Sequence, residues 1–155
     1  MEAIIRPVTK NDIPGIKSVI DSNKLFPSEY LEDMMSDYLN NPESEELWFT
    51  KIEKDVPIGV GYCVPEKFTE GTYNLLAIAV SKDVQGKGIG ASLMQYIEES
   101  LKNKGARVLI VDTSSDDQFE LTRKFYLKLG YLQEAVIRDF WSEGDDKVVF
   151  WKKLI

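Results

Sequence analysis

The chain has 155 residues, of which 43% are apolar and 29% are charged, and its net charge is −7 at neutral pH. These values suit one globular domain, which we predict over residues 2–154. The acidic balance argues against nucleic-acid binding, which needs a basic surface. No apolar run approaches the roughly 18 residues of a membrane span. The first residues lack the pattern of a signal peptide, so we predict a cytoplasmic protein without a membrane partner.

Histidine is absent, and Cys63 is the single cysteine. These two facts exclude Ser-His-Asp and Cys-His catalysis, an internal disulfide and the common His- or Cys-based metal sites, so we expect no metal. Cys63 lies in an apolar stretch and is interpreted as a small buried core residue. Proton transfer near pH 7 must therefore use carboxylates, Tyr, Lys, Cys or water.

The pattern of apolar residues predicts strands that alternate with helices along the chain. Strands are predicted at residues 3–8, 46–53, 57–64, 74–80, 107–112, 131–141 and 147–154, and helices from residue 13, from residue 28, from residue 89 and over 117–129. The last helix has a predicted core stripe at Leu121, Phe125 and Leu129. The strand at 74–80, the helix after it and the strand at 107–112 indicate a parallel pair. We predict an α/β fold with a mixed, mostly antiparallel central sheet and helices on both faces.

Three glycines, Gly86, Gly88 and Gly90, lie between the central strand and the next helix. Glycine lets backbone N–H groups approach a ligand closely, and a helix N-terminus adds unpaired N–H donors with a partial positive charge. The loop is therefore a candidate pyrophosphate site. Its glycine spacing differs from that of the dinucleotide-binding fingerprint, and it lacks the hydroxyl residue of a Walker loop. A tight turn that binds nothing is the alternative.

The sequence Gln-Gly-Lys-Gly-Ile-Gly at residues 85–90 resembles the Gln/Arg-x-x-Gly-x-Gly/Ala signature of the GNAT (Gcn5-related) N-acetyltransferases. Residues 125–131, Phe-Tyr-Leu-Lys-Leu-Gly-Tyr, are similar to the second landmark of that family, and residues 5–12 resemble its first strand and turn. The resemblance covers almost the whole chain. It implies the acyl-CoA N-acyltransferase fold, in which the central strand splays from its parallel neighbour.

The resemblance also implies that acetyl-CoA is the cosubstrate. The backbone of residues 85–91 would hold the pyrophosphate, and that of Ile78 and Val80 would pair with the pantetheine arm. An N–H near Ile78 or Ala79 would stabilise the oxyanion of the reaction. The binding residues implied are Ile78, Ala79, Val80, Gln85, Gly86, Lys87, Gly88, Ile89, Gly90, Ala91, Thr113, Ser114, Phe119 and Thr122. For the hydroxyls at Thr113 and Ser114, a cap for the next helix is the alternative, since Ser114, Ser115 and Asp116 all suit that role.

Tyr126 matches the tyrosine that many GNAT enzymes use as general acid, protonating the departing thiolate. A phenol with a pKa near 10 suits that donation. Packing against the sheet is the alternative role for this side chain.

The chain departs from the family pattern at three positions. Asn74 stands where histone-type members carry a glutamate base, and an amide cannot serve as a base. Phe119 and Thr122 replace a frequent asparagine and a small residue. The general base is therefore open, and the candidates are a water wire, Asp112, Glu29 and Glu32.

We predict an N-acetyltransferase that acts on a primary amine of a small molecule, an amino acid or a peptide by direct attack. The resemblance implies that the acidic turn at residues 143–146 borders the acceptor site, where it would attract a cationic amine. A solvated hairpin loop is the alternative. A non-catalytic acyl-CoA-binding module of the same fold is the alternative, and a longer-chain acyltransferase is a third reading. Many relatives dimerise, so a homodimer is also an expectation.

Overall fold

The computed structural model describes residues 3–155, which form a seven-stranded sheet and five α-helices. Glu2, where the sequence places the start of the domain, lies outside the described residues, and the single domain remains a prediction. The strands are β1 (Ile4–Pro7), β2 (Leu47–Glu53), β3 (Val56–Pro65), β4 (Thr72–Val80), β5 (Val108–Ser114), β6 (Leu132–Ser142) and β7 (Asp145–Lys153). The helices are α1 (Ile13–Asn23), α2 (Leu31–Met34), α3 (Ser36–Asn40), α4 (Ile89–Asn103) and α5 (Glu120–Lys128).

The strand order across the sheet is β1-β2-β3-β4-β5-β7-β6. Antiparallel pairing joins β1 to β2, β2 to β3, β5 to β7 and β6 to β7. Strands β4 and β5 are parallel, with Thr72–Leu75 opposite Val108–Val111, and β4 continues beyond this ladder to Val80. The predicted mixed sheet with one parallel pair, whose strands are connected by a helix, is confirmed.

The chain forms two compact units, and the first comprises residues 3–64 and 77–100. Its core is built by the inward faces of α1 to α3 and of the strands β2 to β4. The buried members are Val8, Ile16, Val19, Ile20, Leu31, Met35, Trp48, Val60, Tyr62 and Ala79. Helix α4 reaches β3 at Gly61, where an added Cβ would stand 2.6 Å from Ile97 Cδ1. A larger residue at this position would require the Ile97 side chain to move.

The second unit comprises residues 65–76 and 101–155. Leu109, Val111, Val148 and Phe150 are buried where β5 and β7 pair. The alternation of these residues with less buried neighbours is the period-2 pattern of strands. Helix α5 contributes Tyr126 to this core.

The prediction of one continuous helix from residue 28 is wrong. The structure has two short helices, α2 and α3, which are separated at Met35. Met35 has φ −91° and ψ −3°, between the helical and turn regions, and its side chain is fully buried. Ser36 Oγ donates to the Asp33 carbonyl at 2.9 Å. A side chain that takes a backbone acceptor competes with the helical hydrogen bonds, which explains the break.

The predicted end of the strand at Asp112 is also too early, because β5 continues to Ser114. Thr113 and Ser114 pair with Val148 and Lys147 of β7. A 3-10 turn at Asp117–Phe119 follows and leads into α5; it is capped by Asp116, whose Oδ1 accepts the Gln118 N–H at 3.1 Å. Ser114 therefore belongs to the sheet rather than to a loop after it.

The predicted core stripe of the last helix is wrong at Leu121 and leaves out Tyr126, which is the most buried residue of that helix. Leu121 is 80% exposed, whereas Tyr126 is 2% exposed. Thr122, Phe125 and Leu129 are half-buried on the same side. The aromatic rings of Tyr131 and Phe150 lie 5.6 and 5.5 Å from the Tyr126 ring, and this aromatic packing sets which face turns inward.

Candidate functional site

The glycine loop joins β4 to α4 in the first unit through a short 3-10 turn at Lys82–Val84. Gly86 and Gly88 have φ values of 82° and 76°, in the left-handed region that glycine adopts without strain. Both are exposed, and no atom lies within 4 Å of the position where a Cβ would stand. The loop therefore presents open backbone at the start of a fifteen-residue helix, the arrangement that binds phosphate groups.

Two side-chain amides hold the loop against the end of α1. Gln85 Nε2 donates to Asn23 Oδ1 at 2.9 Å and to the Val80 carbonyl at 3.0 Å. Asn23 Nδ2 donates to the same Val80 carbonyl at 2.8 Å. The Lys82 N–H also donates to Ser22 Oγ, at 3.3 Å. The last turn of α1 thus fixes both ends of the segment that precedes the glycines.

The backbone of β4 presents Ile78 and Val80 away from β3. The Ser81 N–H donates to the Ile58 carbonyl of β3 at 2.8 Å. Because strand backbone groups alternate between the two edges, those of Ile78 and Val80 point to the opposite edge. The Val80 carbonyl already accepts two side-chain hydrogen bonds. The Val80 N–H is therefore the group that is suited to donate to an acceptor atom of a ligand.

The loop leads into α4 through Ile89, which is buried and anchors the first turn of the helix. Gly90 and Ala91 follow as half-buried helical residues. Lys87 lies between the two left-handed glycines and is exposed. A cationic side chain at that place adds to the attraction of the helix N-terminus for anions.

In the second unit, the hydroxyls of Thr113 and Ser114 donate hydrogen bonds to groups of the neighbouring strand β7. Thr113 Oγ1 donates to the Val148 carbonyl at 3.0 Å, and Ser114 Oγ donates to Asp145 Oδ1. Ser114 Oγ also accepts the Asp116 N–H at 3.0 Å. The next carboxylate, Asp146, accepts the Asp139 N–H at 2.9 Å through Oδ1. Asp145 thus joins the hairpin to β5, and Asp146 joins the two strands of the hairpin.

The remaining predicted residues of the second unit lie along the last helix. Phe119 precedes α5 and is exposed, Thr122 is half-buried, and Tyr126 is buried. The Tyr126 ring also packs edge-on to Phe125 at a centroid distance of 5.3 Å. The packing that the sequence left as an alternative for Tyr126 is present, and its role as acid stays a prediction.

Four residues of the second unit form a polar cluster that the sequence did not predict, namely Glu66, Asn74, Asp112 and Lys147. Asn74 Nδ2 donates to Glu66 Oε1 at 2.9 Å and to Asp112 Oδ2 at 3.2 Å. Lys147 Nζ lies 3.3 Å from the same Asp112 oxygen. Within residues 3–155, Asn74 Oδ1 and Asp112 Oδ1 are buried oxygens without a hydrogen-bond partner. No sequence signal relates these four residues, since three different strands and a loop supply them.

Two other expectations concern single side chains of the first unit. Cys63 is fully buried, and this burial raises the pKa of its thiol to about 12, which agrees with a core role. Glu32 forms an ion pair with Lys17, and Glu29 is exposed. Asn23 and Ser22, which anchor the loop, carried no sequence signal, because their partners lie about 60 positions away.

The sequence matches the acetyltransferase (GNAT) family over residues 17–131. An uncharacterised N-acetyltransferase of Methanocaldococcus jannaschii is 29% identical over 86 residues, covering 54% of this chain. The chain spans about half the length of that relative, 53%.

Solved structures of the same fold cover nearly the whole chain. A GNAT-family protein from Desulfovibrio desulfuricans has a TM-score of 0.93 and 26% identity, with 99% of this chain and 100% of that chain covered. An aminoglycoside 6′-N-acetyltransferase complexed with coenzyme A has a TM-score of 0.79 and 18% identity, with 98% and 97% covered.

The family match spans well over half of the chain and agrees with the sheet and the glycine loop described above. The chain therefore belongs to the GNAT family of acetyltransferases. None of the helices in residues 3–155 is both long enough and apolar enough to cross a membrane.

Proposed function

We propose that this protein transfers the acetyl group of acetyl-CoA to a primary amine. One observation carries the proposal: the exposed loop with left-handed Gly86 and Gly88 opens directly onto the N-terminus of α4. Open backbone N–H groups at a helix start suit a pyrophosphate. Membership of the GNAT family and the coenzyme A complex of a similar fold support the same ligand.

In this proposal, the backbone of residues 85–91 binds the pyrophosphate of coenzyme A. The N–H of Val80 pairs with the pantetheine arm, because the Val80 carbonyl is already taken by Gln85 and Asn23. The outward N–H and C=O of Ile78 continue that pairing. The amide pair Gln85 and Asn23 keeps the loop in its binding shape.

Acetyl-CoA supplies the thioester carbonyl that a neutral amine attacks. An N–H near Ile78, on the edge of β4 that faces away from β3, stabilises the charge that develops on the carbonyl oxygen. The Ala79 N–H lies on the β3 side and is the less suitable donor. Tyr126 donates its phenolic proton to the departing thiolate.

Asp112 is the carboxylate that the structure favours as base. Its Oδ1 is buried without a hydrogen-bond partner in the described part of the chain, whereas Oδ2 is held by Asn74 and Lys147. A base needs one free acceptor on an otherwise oriented side chain. Glu32 is paired with Lys17. A water wire remains the second route.

The proposed acceptor is a small amine, an amino acid or a peptide N-terminus. The net charge of −7 favours a cationic acceptor and disfavours nucleic acid. We also propose that the enzyme works in the cytoplasm, without a metal and without a membrane partner.

The first test is calorimetric titration with acetyl-CoA, with coenzyme A and ATP as controls. We expect micromolar binding of both coenzyme A forms and weaker binding of ATP, because the pantetheine arm adds pairing along β4. If neither acetyl-CoA nor coenzyme A binds at millimolar concentration, the proposal is wrong. Amine acceptors are then screened by release of free thiol.

A non-catalytic acyl-CoA-binding module is the second candidate. The deep burial of Tyr126 and the presence of Asn74 in place of a glutamate favour it. Binding of acetyl-CoA without thiol release for any amine class would select this function over the transferase.

A further inference from the structure

Two lysines of the first unit, Lys24 and Lys82, lie where the end of α1 meets the segment that precedes the glycines. The Lys82 N–H donates to Ser22 Oγ at 3.3 Å. Lys24 follows Ser22 by two residues, a span of about 7 Å at most, and is the C-cap of α1. Both lysines are exposed. Because a lysine carries its charge on a flexible four-carbon stem, the two ammonium groups can meet on one anion.

Both ammonium groups are free of ion pairs within residues 3–155. Asp21 and Asp83 are close to them in sequence and are exposed, but they form no ion pair in that part of the chain either. The protein therefore leaves two cations unpaired beside a candidate phosphate site, although its net charge is −7. Lysine is a common partner of phosphate groups.

The pyrophosphate of the proposed function has other partners than these two lysines. It would bind the open backbone at Gly86 and Gly88 and the N-terminus of α4. Lys87, between the two glycines, adds a cation there. Lys82 begins the 3-10 turn before the glycines, and the Gln85 N–H donates to its carbonyl at 3.5 Å. Lys24 and Lys82 therefore lie beside the pyrophosphate site rather than in it.

Coenzyme A carries a third phosphate, on the 3′-oxygen of its ribose. Only the sugar separates this group from the pyrophosphate. The first and fourth residues of a tight turn lie within about 7 Å of each other, so Lys82 is close enough to Gln85 for one ligand to contact both places. A phosphate monoester carries nearly two negative charges at pH 7, which two ammonium groups would neutralise.

We propose that Lys24 and Lys82 bind the 3′-phosphate of coenzyme A and thereby select coenzyme A over its 3′-dephospho form. The inference rests on the proposed function, because it needs the pyrophosphate in the glycine loop. It goes further, since the end of α1 then contributes to the choice of ligand as well as to the shape of the loop. Neither lysine belongs to the glycine motif at residues 85–90.

The test compares the affinities of coenzyme A and 3′-dephospho-coenzyme A by calorimetric titration. We expect the native chain to bind coenzyme A about tenfold more tightly. Lys24→Gln and Lys82→Gln should each reduce this preference about threefold, through weaker binding of coenzyme A alone. The double variant should bind the two ligands alike. Lys82→Arg keeps the charge and should keep the preference.

The chain offers a matched control for each lysine. Lys54 is exposed and has φ 52°, against 51° for Lys24. Lys10 is exposed and begins a 3-10 turn, as Lys82 does. Lys54→Gln and Lys10→Gln should keep the native preference. Lys87→Gln should weaken the binding of both ligands by the same factor, because both carry the pyrophosphate.

The native titrations separate this inference from the proposed function. If the native chain binds neither ligand, the proposed function is wrong and the inference falls with it. Equal affinities for the two ligands would overturn the inference alone. So would a preference that survives in the double variant. Equal losses for both ligands in Lys24→Gln or Lys82→Gln would also overturn it, because the lysine would then act on the loop rather than on the 3′-phosphate.

Discussion

Gln85 in the glycine loop and Asn23 at the end of α1 form a direct amide–amide hydrogen bond of 2.9 Å, and both donate to the carbonyl of Val80. This triangle ties the loop, the first helix and the end of β4 together within one unit. Each partner is polar and partly exposed, so the bond orients the loop more than it stabilises the fold. The shape of the proposed pyrophosphate site thus depends on residues outside the glycine motif.

The first prediction follows from this anchor. Gln85→Ala should weaken coenzyme A binding by about tenfold, because a loop free to move pays ordering entropy on binding. Calorimetric titration measures the change. Gln95→Ala, an exposed glutamine of α4, is the matched control and should bind normally. If Gln85→Ala binds coenzyme A with native affinity, the hydrogen bonds of Gln85 do not determine the shape of the binding loop.

The second prediction concerns Gly88. Gly88→Glu should abolish coenzyme A binding, because it forces a side chain into the left-handed region and sets a negative charge against the phosphates. Gly105→Glu is the control, since Gly105 has φ 90° and open space around its Cβ position. Both variants should lose about 1 kcal/mol of stability. Equal coenzyme A affinities for the two would contradict the assignment of the loop.

The third prediction concerns Tyr126. Tyr126→Phe should lower turnover by about 100-fold while coenzyme A binding persists, since only the proton donor is lost and the ring can still pack on Phe150. The measurement is steady-state thiol release beside calorimetric titration. Tyr131→Phe changes another buried tyrosine of the same aromatic cluster and should keep most activity. Turnover unchanged in Tyr126→Phe would assign that residue to packing alone.

The fourth prediction concerns stability in acid. Arg6 donates to both oxygens of Asp12, at 2.7 and 2.8 Å, and these hydrogen bonds lower the pKa of the Asp12 carboxyl against the opposing effect of burial. A carboxyl whose folded pKa is depressed stabilises the fold above its ordinary pKa of about 4, and this contribution is lost as the pH falls through the folded value.

Asp12→Asn should therefore lower the free energy of unfolding at pH 7 by about 1 to 3 kcal/mol. The difference from the native chain should shrink below about pH 4, as the native carboxyl becomes protonated. Urea unfolding at several pH values measures both effects. Asp21→Asn, an exposed position of α1, should change stability little. A constant difference across the pH range would show that the ion pair is not responsible.

Much of the fold was accessible from local sequence patterns. The start of α1 at Ile13, the start of α4 at Ile89 and the turn at Lys54–Asp55 lie where the apolar periodicity and the turn residues place them. Glycines with positive φ occur at Gly86 and Gly88, as a close backbone approach requires. These features are encoded within a few residues of each other, so one sequence suffices to find them.

Two of the departures arise from contacts with other elements of the chain, whereas the break at Met35 is local. Strand β5 extends to Ser114 because β7 offers it partners, and α5 turns Tyr126 inward because Tyr131 and Phe150 stand there. Helical spacing alone favoured Leu121 for that core, which is exposed.

The sequence by itself determined the order of strands and helices, the glycine loop and the absence of histidine chemistry, because these depend on residue type and short-range spacing. Only the tertiary structure decided that Asn23 holds Gln85, that Asn74 and Asp112 share a polar cluster, and that β6 lies open at the edge of the sheet. Those relationships join residues far apart in the chain, and the free energy that selects them arises only when the elements pack together.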